Sequence, residues 1–466
     1  MSWTHTQKIL AQNVRGETKK RKGSGRTRRR KWLVLPALLL AVITMGIVIT
    51  VIHYYTAEAY LVLQGEEHMT VGKHGVFEDP GVLAMRGGRD VSDKVEVSSN
   101  LDLTTPGEYE ITYESGNFVV QRTVTVLDRM LPKLKLKGSK NQELLLGETF
   151  EEPGYKAKAD DGTSLTDRVQ VTCQLLGDQD AGSVKDSESV QASDSGSTLL
   201  RRAGTYEVVY TVADDEGHVS RRSRTVTVQP NTNYGAAGLP ICMYHYVYDE
   251  NDPPADVNAR YKNYISQQDL IEEMNWLNDE GYYYPTWKEV RDYVDGKLLL
   301  PEKSIVLTFD DGEQYTLEHL LPVIEQTHVP VTSFLITVHS GERKVKEFRS
   351  DYLTFESHTH DMHRGGGSAD YRGILPVIDY ATGLADLQKS TEICGSSDAF
   401  AYPYGDNNAN THAMLEAAGF LCGVTTQWGK AYPGMDPLVL PRVRMWQDQT
   451  MNYFMTNVSP PAGAGQ

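Results

Sequence analysis

Residues 33–52 form a run of 20 positions without a charge. At about 1.5 Å rise per residue the run reaches about 30 Å, the thickness of a bilayer's hydrocarbon core. One transmembrane helix is therefore expected over 32–55. Beyond it the pattern becomes one of short alternations, with Tyr109, Ile111 and Tyr113, and again Tyr206, Val208 and Tyr210, spaced as the inward face of half-buried strands. After about residue 240 the pattern changes once more. Short apolar runs of strand length at 240–247, 304–309, 331–336, 352–356, 399–402 and 421–425 are separated by stretches with helical spacing. Ser266 opens one helix, with Leu270, Met274 and Leu277 on a single face, and Thr286 with Glu289 forms a capping box for another. Strand–helix alternation predicts a parallel α/β sheet or barrel with its site at the C-terminal strand ends.

The alternating region is an internal repeat. Phe77-Glu78-Asp79-Pro80-Gly81 recurs as Phe150-Glu151-Glu152-Pro153-Gly154, and the strand 106–113 recurs as 203–210. Both copies close on Arg-Thr-Val-Thr-Val, at 122–126 and 224–228. Short strands between Gly and Pro turns predict two small β-sandwiches, over 60–129 and 130–229. The second holds a Ser-, Asp- and Gly-rich insertion at 177–198 that reads as a surface loop. Neither copy clusters His, Cys and carboxylates, so a spacer or wall-binding role is expected of them. Residues 230–238 read as a small-residue linker, 239–457 as the catalytic domain and 458–466 as a tail.

Charge sharpens the picture. Formal net charge is −16, yet the first 31 residues hold 11 Lys or Arg against one Glu, so the remainder carries −16 − 10 = −26. So acidic a body is a poor polyanion binder, and no nucleic-acid partner is expected. A basic stretch over 1–31 directly before an apolar run is a topology signal that leaves the N-terminus cytoplasmic and the rest outside the plasma membrane. Ala57-Glu58-Ala59 resembles a signal cleavage site, but the apolar run exceeds the usual signal length, which favours an uncleaved anchor. Four scattered cysteines, Cys173, Cys242, Cys394 and Cys422, lack zinc-ribbon spacing or disulfide density and read as thiols.

Three strand ends carry chemistry together. Thr308-Phe309-Asp310-Asp311-Gly312 drives an apolar strand into adjacent carboxylates, which repel unless a partner such as a metal compensates them. Glu356-Ser357-His358-Thr359-His360-Asp361-Met362-His363 sets three histidines within six residues beside acids, a ligating pattern. Phe400-Ala401-Tyr402-Pro403-Tyr404-Gly405 ends a strand in an aromatic, Pro and Gly turn.

In this order the motifs resemble the signatures of the polysaccharide deacetylase family, carbohydrate esterase family four, over about 238–457. The repeat copies resemble the immunoglobulin-like modules of bacterial surface proteins. The resemblance implies a multidomain chain: an N-terminal transmembrane helix, two Ig-like β-sandwiches and a C-terminal distorted (β/α) barrel. It implies one divalent ion, zinc in expectation, on Asp311, His358 and His363, with Asp310 as general base. The H-x4-H spacing, with Met243-Tyr244-His245 near the domain's start, resembles the branch acting on poly-β-1,6-N-acetylglucosamine, in which His245 would be the acid. The oxyanion would be held by a backbone N–H, that of Tyr404 in expectation, and Tyr402, Tyr404 and Trp428 could stack on sugar rings, although core packing is the more common use of such residues. The family's usual arginine in the Pro-Tyr-Gly motif is missing, and Arg442 is the candidate to orient Asp310. The function expected is metal-dependent removal of N-acetyl groups from an extracellular acetylglucosamine polysaccharide. Peptidoglycan is an alternative substrate. A non-catalytic surface adhesin and a non-haem iron oxygenase are the competing classes; an adhesin has no use for a base and an acid around such a site, and the oxygenase triad usually sits in an all-β barrel.

Overall fold

A computed structural model of the chain describes residues 59–461 apart from 74, 128–130, 178–196, 216 and 448. The expected basic tail and transmembrane helix, and most of the insertion at 177–198, lie outside the described residues. Among those described, no helix is long and apolar enough to cross a membrane. The described residues fall into two compact units, the smaller from residues 59–61, 82–96 and 113–119 and the larger from Val62–Gly81, Val97–Thr112 and residues 120–461. In the smaller unit Val82–Arg86 pairs antiparallel with Arg89–Asp90, and Ser92 Oγ accepts the Ala84 amide at 2.9 Å.

Within the larger unit, both repeat copies use the same ion pair, with a buried arginine. Arg122, fully buried, pairs with Asp79, and Arg224, also fully buried, pairs with Glu152 at 3.3 Å. The repeated acid-Pro-Gly turn and the arginine of Arg-Thr-Val-Thr-Val are thus two halves of one contact. In the first copy His68–Gly72 lies parallel to the last strand, from His68↔Thr123 to Gly72↔Leu127. The second copy has a four-stranded sheet in the order Gln170–Leu175, Gly204–Ala213, Val219–Gln229, Asn141–Leu145. Its core gathers Tyr206, Val208 and Tyr210, the inward set that the alternation predicts, with Val226 and Val228 of the next strand.

The C-terminal region is a closed barrel of seven parallel strands: β1 (Ile241–Tyr244), β2 (Val306–Phe309), β3 (Val331–Leu335), β4 (Leu353–Ser357), β5 (Ala399–Ala401), β6 (Cys422–Trp428) and β7 (Leu440–Arg444). Six coincide with the apolar runs to within a few residues, because a strand covered on both faces is apolar throughout. β7 closes the ring by pairing with β1, Cys242↔Val443. Its sequence, Leu-Pro-Arg-Val-Arg, hides the strand, since Pro is rare inside a sheet and two arginines break the apolar run. Seven helices follow: α1 (Gln267–Asp279), α2 (Trp287–Val294), α3 (Gln314–Thr327), α4 (Gly341–Glu347), α5 (Tyr380–Cys394), α6 (Ala409–Ala418) and α7 (Met451–Val458). The Ser266 hydroxyl caps α1 by accepting the Asp269 amide, and the capping box at Thr286 and Glu289 starts α2.

The second sandwich is joined to the barrel by more than the chain. The loop between α2 and β2, at the N-terminal end of the barrel strands, adds an antiparallel bridge to it, with Ala203 N donating to Lys297 O and Leu299 N to Arg201 O, both at 2.7 Å. Leu299 enters the sandwich core, and Arg202 pairs with Asp292 at 2.7 Å. Segment 230–238 is held as well: Asn231 Nδ2 donates to Leu146 O at 2.8 Å, and Tyr234 packs against both cores. The sandwich thus grips the end of the barrel opposite the mouth where Asp310, Asp311 and His358 emerge.

Candidate active site

Each group at the mouth leaves the C-terminal end of a strand. β2 runs into Asp310 and Asp311; the Asp310 amide donates to Tyr244 O at 3.0 Å, tying it to β1. Asp311 adopts φ 70°, Thr359 φ 75° and Tyr404 φ 61°, so three of the five described non-glycine residues with positive φ flank this mouth. Such conformations persist only where surroundings over-determine them, and they cluster at functional sites. Gly312 follows at φ 58°, where a Cβ would lie 2.5 Å from Leu335 Cδ1 and 3.2 Å from its Cα, a crowded position that favours glycine.

Asp311 Oδ1 lies 3.6 Å from both His358 Nε2 and His363 Nε2. One ligand atom from each of the three residues falls within 4.8 Å of the others. His358 Nδ1 is 2.6 Å from the carbonyl of Ala401, which fixes the proton there and leaves the Nε2 lone pair facing Asp311. Burial, and then the neighbouring His358, lower the His363 pKa to about 4, so its imidazole is neutral at physiological pH. Two bonds of about 2.0–2.1 Å to a tetrahedral ion set their donor atoms about 3.4 Å apart, so a carboxylate and two imidazoles at these separations fit a divalent cation. His360 turns elsewhere, its Nδ1 2.9 Å from Thr337 Oγ1. The loop that separates the histidines is held by Asp386 on α5, which accepts the His360 and Asp361 amides at 2.8 and 2.7 Å. Nothing in the sequence pattern marks Asp386 for that task.

Asp310 is buried, and burial alone would raise its pKa. The Arg442 guanidinium outweighs that, through its charge and by donating from Nη1 and Nη2 to the two carboxylate oxygens at 2.7 Å each; His358 and His245 add to the effect, and the carboxyl is held well below the usual range. Arg442, itself 1 % exposed, is fixed in turn by the Thr425 carbonyl at 2.9 Å and Thr308 Oγ1 at 3.0 Å. His245 follows β1, and its Nδ1 is buried without a hydrogen-bond partner among the described residues. An orphaned polar atom at a mouth of this kind calls for a functional explanation. Burial lowers the His245 pKa against the opposing pull of Asp310 and Asp311.

The aromatic residues divide. The Tyr404 ring lies 4.8 Å from that of His363, tilted by 40° to it, with Arg372 over the tyrosine at 5.0 Å. Trp428, at the end of β6 in register with Arg442, is 52 % exposed. Tyr402 corrects the expectation: it is 1 % exposed, packed edge-on to Phe400 in a core with Met414 and Leu415, and cannot stack on a sugar. Its side chain points into the layer between sheet and helices, a direction that a run of aromatics does not reveal. All four cysteines are free.

A polysaccharide deacetylase family model matches residues 298–423, and a bacterial surface protein Ig-like domain model matches 61–126 and 134–183. Poly-beta-1,6-N-acetyl-D-glucosamine N-deacetylase of Staphylococcus aureus strain MRSA252 is 30% identical over 205 residues, 40% of this chain and 70% of that protein. Its counterpart from Staphylococcus epidermidis is 29% identical over 209 residues, 40% of this chain and 70% of its own length. Among solved structures, the Streptococcus pyogenes deacetylase PplD in complex with acetate is 22% identical with a TM-score of 0.42, over 50% of this chain and 100% of that one. IcaB from Ammonifex degensii is 25% identical with a TM-score of 0.40, over 47% of this chain and 95% of its own. From the extent of the sequence match to the staphylococcal enzymes, and from the matching family model, the chain belongs to the polysaccharide deacetylase family.

Proposed function

We propose that the chain is a metal-dependent N-deacetylase of an acetylglucosamine polysaccharide outside the cell, anchored in the plasma membrane through residues 32–55. The observation that carries this reading is the meeting, at one barrel mouth, of an arginine-paired carboxylate, an Asp and two His donors, and an unpartnered histidine. Asp311, His358 and His363 would hold one divalent cation, zinc first among the choices. Such an ion supplies Lewis acidity toward the attacking water and the acetamide carbonyl.

The remaining work falls to side chains. Asp310, kept ionised in a buried setting by Arg442, accepts the proton of the attacking water. The backbone N–H of Tyr404, set by the positive φ of that turn, donates to the oxygen on which negative charge develops. His245, as the imidazolium that the facing Asp310 and Asp311 carboxylates favour, gives its proton to the departing amine, without which the C–N bond breaks poorly, and the proton taken from water by Asp310 balances the one His245 gives up. Tyr404 and the exposed Trp428 offer aromatic faces to sugar rings.

For the glycan, the names of the staphylococcal relatives and the His358–His363 spacing favour a β-1,6-linked acetylglucosamine polymer ahead of peptidoglycan. Acetate release by the purified chain from β-1,6-linked oligomers, compared with peptidoglycan sacculi stripped of glycopolymer, tests the choice. Faster release from the oligomers is expected, and clear preference for the sacculi would overturn it.

A further inference from the structure

Asp311 stands on a strained turn, and something must decide which of its two oxygens faces the histidines. Oδ1 does so, 3.6 Å from each Nε2, while Oδ2 accepts a hydrogen bond from the Tyr246 phenol at 2.6 Å. Tyr246 is 5 % exposed. It belongs to a short strand, Tyr246–Tyr248, that pairs in parallel with Tyr264–Ser266 outside the barrel sheet. The phenol therefore reaches Asp311 from a separate framework. Arg260 Nη2 donates to the phenol oxygen at 2.5 Å, and its guanidinium lies 4.5 Å above the ring. A phenol that accepts from a guanidinium has one proton left to give, and it gives that proton to Oδ2.

We propose that Tyr246, backed by Arg260, is a positioning residue that commits Asp311 to binding the cation through Oδ1 alone. The inference rests on the metal site proposed above. A carboxylate bound through both oxygens would take a further coordination position, and hydrolysis requires positions left open for water and substrate. Partners of this kind orient a ligand as well as strengthen it, and losing one typically weakens metal affinity by about 10–100-fold.

Zinc affinity of the full chain, measured by competition with a chromogenic chelator, tests the idea without reference to turnover. Tyr246→Phe is expected to bind zinc about 10–100-fold more weakly. In its cobalt form the visible absorption should weaken as the second carboxylate oxygen joins the ion. Arg260→Ala, which leaves the phenol in place, should weaken zinc binding in the same direction by less, and it decides the matter if the phenylalanine variant fails to fold. Asp311→Ala is the reference. If it loses zinc while Tyr246→Phe and Arg260→Ala bind as tightly as the parent, the role given to Tyr246 is wrong and the metal site stands. If Asp311→Ala keeps zinc at full affinity, the metal site itself is wrong and the inference falls with it.

Discussion

Replacing Arg442 with methionine keeps a long stem in β7 but removes both charge-assisted bonds to Asp310 and leaves that carboxylate buried and unpaired. Breaking a buried pair from one side typically costs about 3–5 kcal/mol. The bonds to the Thr425 carbonyl and Thr308 Oγ1 are lost as well, at about 1 kcal/mol each. A destabilisation of about 5–7 kcal/mol is therefore expected, most of it owed to the stranded charge. The signature of that cause is recovery: Asp310→Asn placed in the Arg442→Met background should restore about 3 kcal/mol of stability while activity stays absent. Denaturant unfolding followed by barrel tryptophan fluorescence reads the stability of the four chains in the cycle, and acetate release reads turnover. If the double variant is as unstable as Arg442→Met, Asp310 is not the charge that Arg442 compensates, and the reasoning about the base fails.

Other outcomes follow from the same geometry. Asp310→Asn and His245→Ala should each lose about 10²–10⁴ in turnover while keeping the metal, as expected for loss of a base or an acid; unchanged rates for either would remove it from the mechanism. His363→Ala should lose metal and activity and His360→Ala neither, since His360 is engaged by Thr337; metal analysis showing the reverse would exchange their roles. Glu273, buried on α1 and hydrogen-bonded by Tyr244 and Gln449, has its pKa raised to about 7, chiefly by burial. The unfolded chain ionises this group first, so the parent loses stability as pH rises from about 4.5 through 7, on the order of 3 kcal/mol. Glu273→Gln should gain on the parent by about that much between pH 5 and 8, and an unchanging difference in unfolding midpoint would refute it.

How much of this was legible in the chain depends on whether a feature is local. Strand positions were, since a doubly covered strand is a continuous apolar run, and so were the caps at Ser266 and Thr286, whose donors and acceptors lie three residues apart. β7 was not, because Pro441, Arg442 and Arg444 disguise it. The reason for its arginine lies 132 residues away at Asp310. The grouping of Asp311, His358 and His363 was legible through the family resemblance of their motifs, and the structure brings the three together.

Supporting contacts were another matter. Tyr246 and Asp386 act on the site from elements of their own, and neither residue type nor spacing announces it. Tyr402 is the expected sugar surface that the structure assigns to the core instead, its direction set by packing against Phe400. The repeat did hold a signal that could have been used. Both copies keep an acid beside the Pro-Gly turn and an arginine in the middle of the last strand, and in both the two residues are partners. A residue pair that survives in two otherwise divergent copies is a candidate contact.

The most direct test of the whole account is acetate release from β-1,6-linked acetylglucosamine oligomers by the purified chain before and after exhaustive chelation, with zinc then restored. The account predicts turnover that disappears with the metal, returns with zinc, and does not return in Asp311→Ala. Full turnover after verified removal of all divalent metal would contradict it.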